Sequence, residues 1–181
     1  RGKPIMCLSH GIGPDNIDIV INELDALANV DFATREVRDK LRSLTMVRIG
    51  TSGALQPEIT LGTPVIAALS AGFDGVLNYY AGRNEVAHSD IEEAFCEATG
   101  WNPLWAKPYF VDADASLVDR IGGDDMMRGI TISAVGFYGP QGRCLRMPLA
   151  NPDLNERIEK FEFNGKRITN YEMESAPLAG L

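Results

Sequence analysis

The 181-residue chain carries 25 acidic against 17 basic side chains, a formal charge of -8, with 45% hydrophobic and 23% charged residues. It is long and apolar enough for one domain with a sizeable core, and its composition excludes a basic nucleic-acid surface and a disordered chain. No apolar run approaches the roughly 18 residues that a membrane span needs. Cys7, Cys96 and Cys144 are odd in number and widely spaced, so neither a disulfide ladder nor a Cys-x-x-Cys metal pair is expected. They are read as buried free thiols of a reducing, cytoplasmic compartment.

In chain order, residues 4–8 predict a buried strand and residues 9–15 a glycine-rich turn. Ile17, Val20, Ile21, Leu24 and Leu27 recur at helical spacing and predict a helix over 16–28. Gly11 and Gly13 begin like a dinucleotide fingerprint, but Asn16 stands where its third glycine belongs, so a tight packing turn is the reading. Residues 31–43, with Arg35, Glu36, Arg38, Asp39, Lys40 and Arg42, suit a solvated helix face. Residues 44–48 suit a buried strand that opens into Gly50-Thr-Ser-Gly53. Glycines that admit close approach, the hydroxyls of Thr51 and Ser52, and the forked cation of Arg48 make this loop a candidate anion cradle, although it is also ordinary turn composition.

Further along, a strand is expected at 63–69 and a helix at 89–99, with Ser89 as N-cap and Glu92 three residues later. A short helix at 114–121, a branched strand at 129–135 and an amphipathic helix at 151–160 follow. Residues 168–171 lead into Glu172, Met173 and Glu174 and a helix start at Ser175. Strands alternating with helices predict a single α/β domain.

Three strand-to-loop exits carry candidate chemistry, at 48–53, 137–143 and 172–174. In open α/β sheets ligands collect at the carboxyl ends of strands, so the three are candidates for one shared site. The first suits phosphate. The second offers the aromatic face of Phe137 and the amide of Gln141, whose donor and acceptor lie side by side. The third puts Glu172 and Glu174 two residues apart, pointing the same way if extended and suited to sugar hydroxyls. Phosphate, sugar and base together describe a nucleoside or nucleotide ligand. The bland alternatives are that Phe137 and Tyr138 are core aromatics, that Arg143 and Arg146 are surface charges, and that one of the two glutamates sits at a helix N-terminus. His10 and His88 have no spaced partner, so no catalytic metal is expected, and no nucleophile elbow is visible.

Arg48-Ile-Gly-Thr-Ser-Gly-Ala-Leu-Gln56 and Asn170-Tyr-Glu-Met-Glu-Ser-Ala176, preceded by Ser9-His-Gly-Ile-Gly-Pro14, resemble signature segments of the nucleoside phosphorylases of the uridine phosphorylase type. The resemblance implies a central mixed twisted sheet flanked by helices and reversible phosphorolysis of uridine to uracil and ribose 1-phosphate, with phosphate as co-substrate and no cofactor. It implies that Arg48 and Thr51 bind phosphate, Thr51 also lying near the ribose, and that Ser52 and Gly53 line the nucleoside pocket. Met173 is implied to pack on the ribose, Glu174 to accept from its hydroxyls and Glu172 to support that corner. Phe137 is implied to stack near the base while Gln141 and Arg143 read the uracil edge. A homodimer, or a hexamer of dimers, is the implied assembly. A purine nucleoside phosphorylase or nucleosidase of the same superfamily and a non-catalytic nucleoside-binding module are the rivals. Two departures stand out. The charged segment 31–43 is extra. The family's upstream glycine-and-arginine phosphate loop and the strand expected after Leu181 fall outside the chain, so the domain is expected to lack its N- and C-terminal portions.

Overall fold

The computed structural model describes residues 4–181. Along the chain run α1 (Pro14–Asn29), β1 (Val30–Asp31), β2 (Glu36–Val37), β3 (Gly53–Ala54), β4 (Val65–Gly72), α2 (Arg83–Val86) and α3 (Ser89–Thr99). There follow β5 (Tyr109–Asp112), α4 (Ala115–Ile121), β6 (Met127–Ser133), α5 (Leu154–Lys160), β7 (Glu162–Phe163), β8 (Lys166–Glu172) and α6 (Ser175–Gly180). Helices α1, α3, α4, α5 and α6 fall where helices are expected, with ends shifted by up to three residues. Pro14 starts α1, in a position where a missing N–H costs nothing.

One six-stranded sheet has the order β3-β8-β6-β4-β5, with β7 beside β8. Its centre, β8, β6 and β4, is parallel, and β3 and β5 add antiparallel edges. This is the expected mixed sheet flanked by helices. One face buries Leu69, Ala71, Ile130, Ile132, Ile168 and Tyr171 against Ile91 and Phe95 of α3 and Leu154 and Ile158 of α5. Each of the large side chains among these, taken from water, contributes about 1.5–3 kcal/mol. On the other face Tyr109 and Val111 of β5 meet Ala176 of α6 and Leu77 of the 3-10 turn Val76–Tyr79.

The two faces differ in polarity because the central ladder slips. Ile130 pairs with Ile168, but the next pair is Thr131 with Asn170, which leaves Thr169 as an extra residue in β8. A bulge of this kind exchanges the faces of everything after it. Tyr171 therefore joins Ile168 in the apolar core, while Asn170 and Glu172 turn toward Thr131 and Ser133. Gly129 makes room for the bulge: a Cβ there would lie 2.2 Å from the Thr169 methyl carbon.

Several expectations fail locally. Residues 4–8 and 44–48 form no strand, because neither finds a ladder partner among the described residues, and apolar sequence alone does not make one. Ile5 is 93% exposed and Ile49 91%. The charged stretch 31–43 is not a helix. Asp31 instead captures the Ala33 N–H on its side chain (2.9 Å), the Arg35 N–H bonds the Asp31 carbonyl, and Arg35 takes a positive φ of 62° to turn β1 back on β2. Ser89 is the first helical residue rather than the cap, and Glu92 turns inward to Arg83 (2.7 Å) and Lys107 (3.4 Å). Cys7 and Cys144 are exposed and Cys96 is half-buried, so the expected burial of the free thiols does not hold. β5 has no counterpart in the sequence reading. No helix among the described residues is long and apolar enough to cross a membrane.

Candidate active site

The three expected exits meet, although the first follows no strand. β3 pairs with the end of β8, setting Gly53 opposite Tyr171, and a Cβ on Gly53 would lie 3.3 Å from an Arg143 guanidinium nitrogen. Gly53 is thus the point at which the first exit touches both of the others.

Arg48 is the hub. Its guanidinium bonds Glu172 Oε2 at 2.9 Å and Glu174 Oε2, while its Nε–H donates to His10 Nε2 at 3.2 Å. Gly50 allows this fold-back, since a Cβ there would lie 2.8 Å from Arg48 Nη2. The first glycine of the loop therefore serves the arginine as well as any ligand. Three of the five guanidinium N–H groups are engaged, which leaves two for an anion.

Both carboxylates are buried, yet their surroundings differ. Glu172 accepts the Ser133 hydroxyl (2.6 Å), the Ser175 hydroxyl (2.7 Å) and the backbone N–H groups of Glu174 (2.8 Å) and Ser175 (2.9 Å), which makes it the glutamate seated at the N-terminus of α6. Glu174 accepts the Gly13 N–H at 2.7 Å besides its contact with Arg48. Gly13 takes φ 94°, a conformation that favours glycine, so the 9–14 turn is shaped to aim this N–H. Met173 is half-buried between the two glutamates, whereas Thr51 and Ser52 lie exposed on the rim.

The base exit is built differently. A single turn of 3-10 helix at Gly139–Gln141 buries Gln141, whose Oε1 accepts from Arg143. Arg143 also donates to the Phe137 carbonyl (2.7 Å), and its guanidinium lies 4.1 Å from the centre of the Phe137 ring. Phe137 and Tyr138 are 53% and 55% exposed, so neither is a core aromatic. A cavity of about 830 Å³ opens beside Arg143, walled by Phe73, Asp74, Trp101, Trp105, Tyr138 and Asn155 among others. Burial pushes the Asp74 carboxyl up, partly offset by the Val76 N–H and the Tyr109 hydroxyl. Arg146 also lines that cavity and is exposed.

Sequence reasoning missed His10, Gly13 and Ser133 as parts of the site. A signal existed for the first two, since the 9–14 turn belongs to the same resemblance as the Arg48 segment. Nothing local marks Ser133, which enters through the β8 bulge.

The sequence profile described as the phosphorylase superfamily matches residues 1–181. The chain belongs to the phosphorylase superfamily. A uridine phosphorylase of Thermococcus kodakarensis is 29% identical over 98% of this chain and 52% of its own length. That of Escherichia coli is 29% identical over 98% of this chain and 57% of its own. The chain thus spans a little over half the length of these curated relatives. A Trypanosoma brucei nucleoside phosphorylase structure, described as showing uridine phosphorylase activity, superposes with a TM-score of 0.79 at 24% identity, covering 94% of this chain and 64% of that one, which establishes the superfamily fold.

Proposed function

We propose that this superfamily member takes part in reversible phosphorolysis of uridine, with phosphate as co-substrate and uracil and ribose 1-phosphate as products. The observation that carries the reading is the convergence of a phosphate-type arginine, paired carboxylates and an amide–guanidinium loop around Gly53. Curated relatives named uridine phosphorylase support it.

In this reading Arg48 and Thr51 hold phosphate beneath the sugar, and Ser52 and Gly53 line the nucleoside pocket. Glu174 accepts ribose hydroxyls on the lone pairs left by Gly13 and Arg48, Met173 packs on the ribose, and Glu172 locks Arg48 to α6. As the glycosidic bond stretches, positive charge grows on the sugar and negative charge on the uracil. Phosphate stabilises the first and then attacks it, while Gln141 and Arg143 donate to the second. Phe137 offers the base the face that Arg143 leaves open. One guanidinium facing two carboxylates does not by itself balance a phosphate anion, so a further cation beside the bound phosphate is part of the proposal. The working form is one nucleoside phosphorylase-like domain in a cytoplasmic homodimer or hexamer of dimers, using no cofactor.

Incubation with uridine or inosine, each with and without phosphate, tests the reading. Uracil release that depends on phosphate is the expected result. Cleavage of inosine alone points to a purine phosphorylase, cleavage without phosphate to a nucleosidase, and uridine binding without turnover to a binding module.

A further inference from the structure

His10 lies in none of the roles above, yet it touches the hub of the site. The Arg48 Nε–H can only donate, so at 3.2 Å the His10 Nε2 must supply the lone pair. That contact selects the tautomer: the ring proton sits on Nδ1, and the imidazole is neutral while the contact holds. The Nδ1 atom is buried and has no hydrogen-bond partner among the described residues. A buried donor without a partner is unfavourable unless something else accepts from it. His10 is held there by its turn: Gly13, three residues on, donates to Glu174, and Glu174 in turn binds Arg48.

Resting on the phosphorolysis reading, we propose that His10 is a further phosphate ligand beside Arg48 and Thr51, a neutral imidazole whose Nε2 accepts from Arg48 and whose Nδ1–H donates to an oxygen of bound phosphate. A neutral donor suits this place. Protonation would put an N–H on Nε2 facing the N–H of Arg48 and break the contact that aligns the guanidinium.

Two amide substitutions separate the halves of the ring. In His10→Gln the terminal oxygen reaches the Nε2 position, which keeps the acceptor for Arg48 and deletes the inner donor. In His10→Asn the shorter amide nitrogen reaches the Nδ1 position and keeps that donor. Titration calorimetry of the intact protein with inorganic phosphate is expected to show affinity about 10-fold weaker or worse for His10→Gln, and within about 3-fold of the parent for His10→Asn, the scale of one hydrogen bond to a charged group. Uridine affinity without phosphate, and the thermal midpoint, are expected to match the parent in both. Equal phosphate affinity for His10→Gln and the parent, in a parent that cleaves uridine with phosphate, overturns the role of His10 alone. A parent that binds no phosphate overturns both proposals. Equal losses for phosphate and uridine reduce His10 to a structural residue and overturn the ligand role.

Discussion

The two ends of the candidate site are held by different means. At the Arg48 corner, side chains and backbone from residues 10–13, 48, 133 and 172–175 bond one another between segments 38 to 161 residues apart in sequence. At the base end, among the described residues the Arg143 side chain bonds Phe137 and Gln141 and its backbone N–H bonds Tyr138, all within six residues of itself, and the aromatics stand half in solvent. The first end is part of the tertiary structure, because removing one member strands buried charge. The second is a local loop whose half-exposed Phe137 and Arg143 side chains can change without disturbing the core. Loss of a charged member of the first should cost both stability and activity, and loss of Phe137 or Arg143 at the second activity alone.

The largest effect is expected from Arg48→Ala. It leaves Glu172 and Glu174 buried without their cation, so uridine phosphorolysis should fall by about 10²–10³ in kcat/KM and stability by about 3 kcal/mol in urea denaturation. An unchanged urea midpoint would erase the distinction between the two ends. Gly129→Ala should cost about 1–3 kcal/mol by pushing a methyl into the Thr169 bulge, with activity falling because Glu172 follows the bulge. Adding Thr169→Ser removes the clashing methyl and should recover much of the loss, and no recovery would mean that the bulge is not the cause. Arg143→Ala should lower uridine cleavage at least ~10-fold, or roughly 1.4 kcal/mol of transition-state stabilisation, with the melting curve unmoved. Unchanged kinetics would remove Arg143 from base recognition. The smallest effect is expected for Phe137→Ala, a rise of a few-fold in the KM for uridine, about 0.5–1.5 kcal/mol of lost stacking, again with normal melting. A drop in melting temperature there would mean that the loop is coupled to the core after all.

Much of the fold was legible because its signals are local. Helical spacing in α3, and branched runs in β4 and β6, reach their expected states since each element buries the face its pattern declares, whereas α1 is helical although only Ile17 of its five apolar positions is buried and Leu27 stands exposed. Residues 4–8 and 44–48 misled because an apolar run reads as a strand whether or not a neighbour exists to pair with it. The 31–43 segment misled because Asp31 bonds its own turn, a choice that charge patterning does not reveal. Among site residues, Arg48, Gln141, Arg143, Glu172 and Glu174 were visible through residue type and the resemblance of their segments. Phe137 was visible too, but not that a guanidinium already covers one of its faces.

By itself the sequence determined that this is an acidic α/β domain whose three polar segments, 48–53, 137–143 and 172–174, suit phosphate, sugar and base. Residue type and periodicity suffice for that, because both act within a few residues. Only the tertiary structure decided that one arginine would tie two buried glutamates together, that His10 would hold its far side, and that Glu172 would face Ser133 rather than the apolar core. The reason is the extra residue at Thr169. A ladder slip reverses every later side chain in β8, and it exists only when two strands far apart in sequence lie side by side.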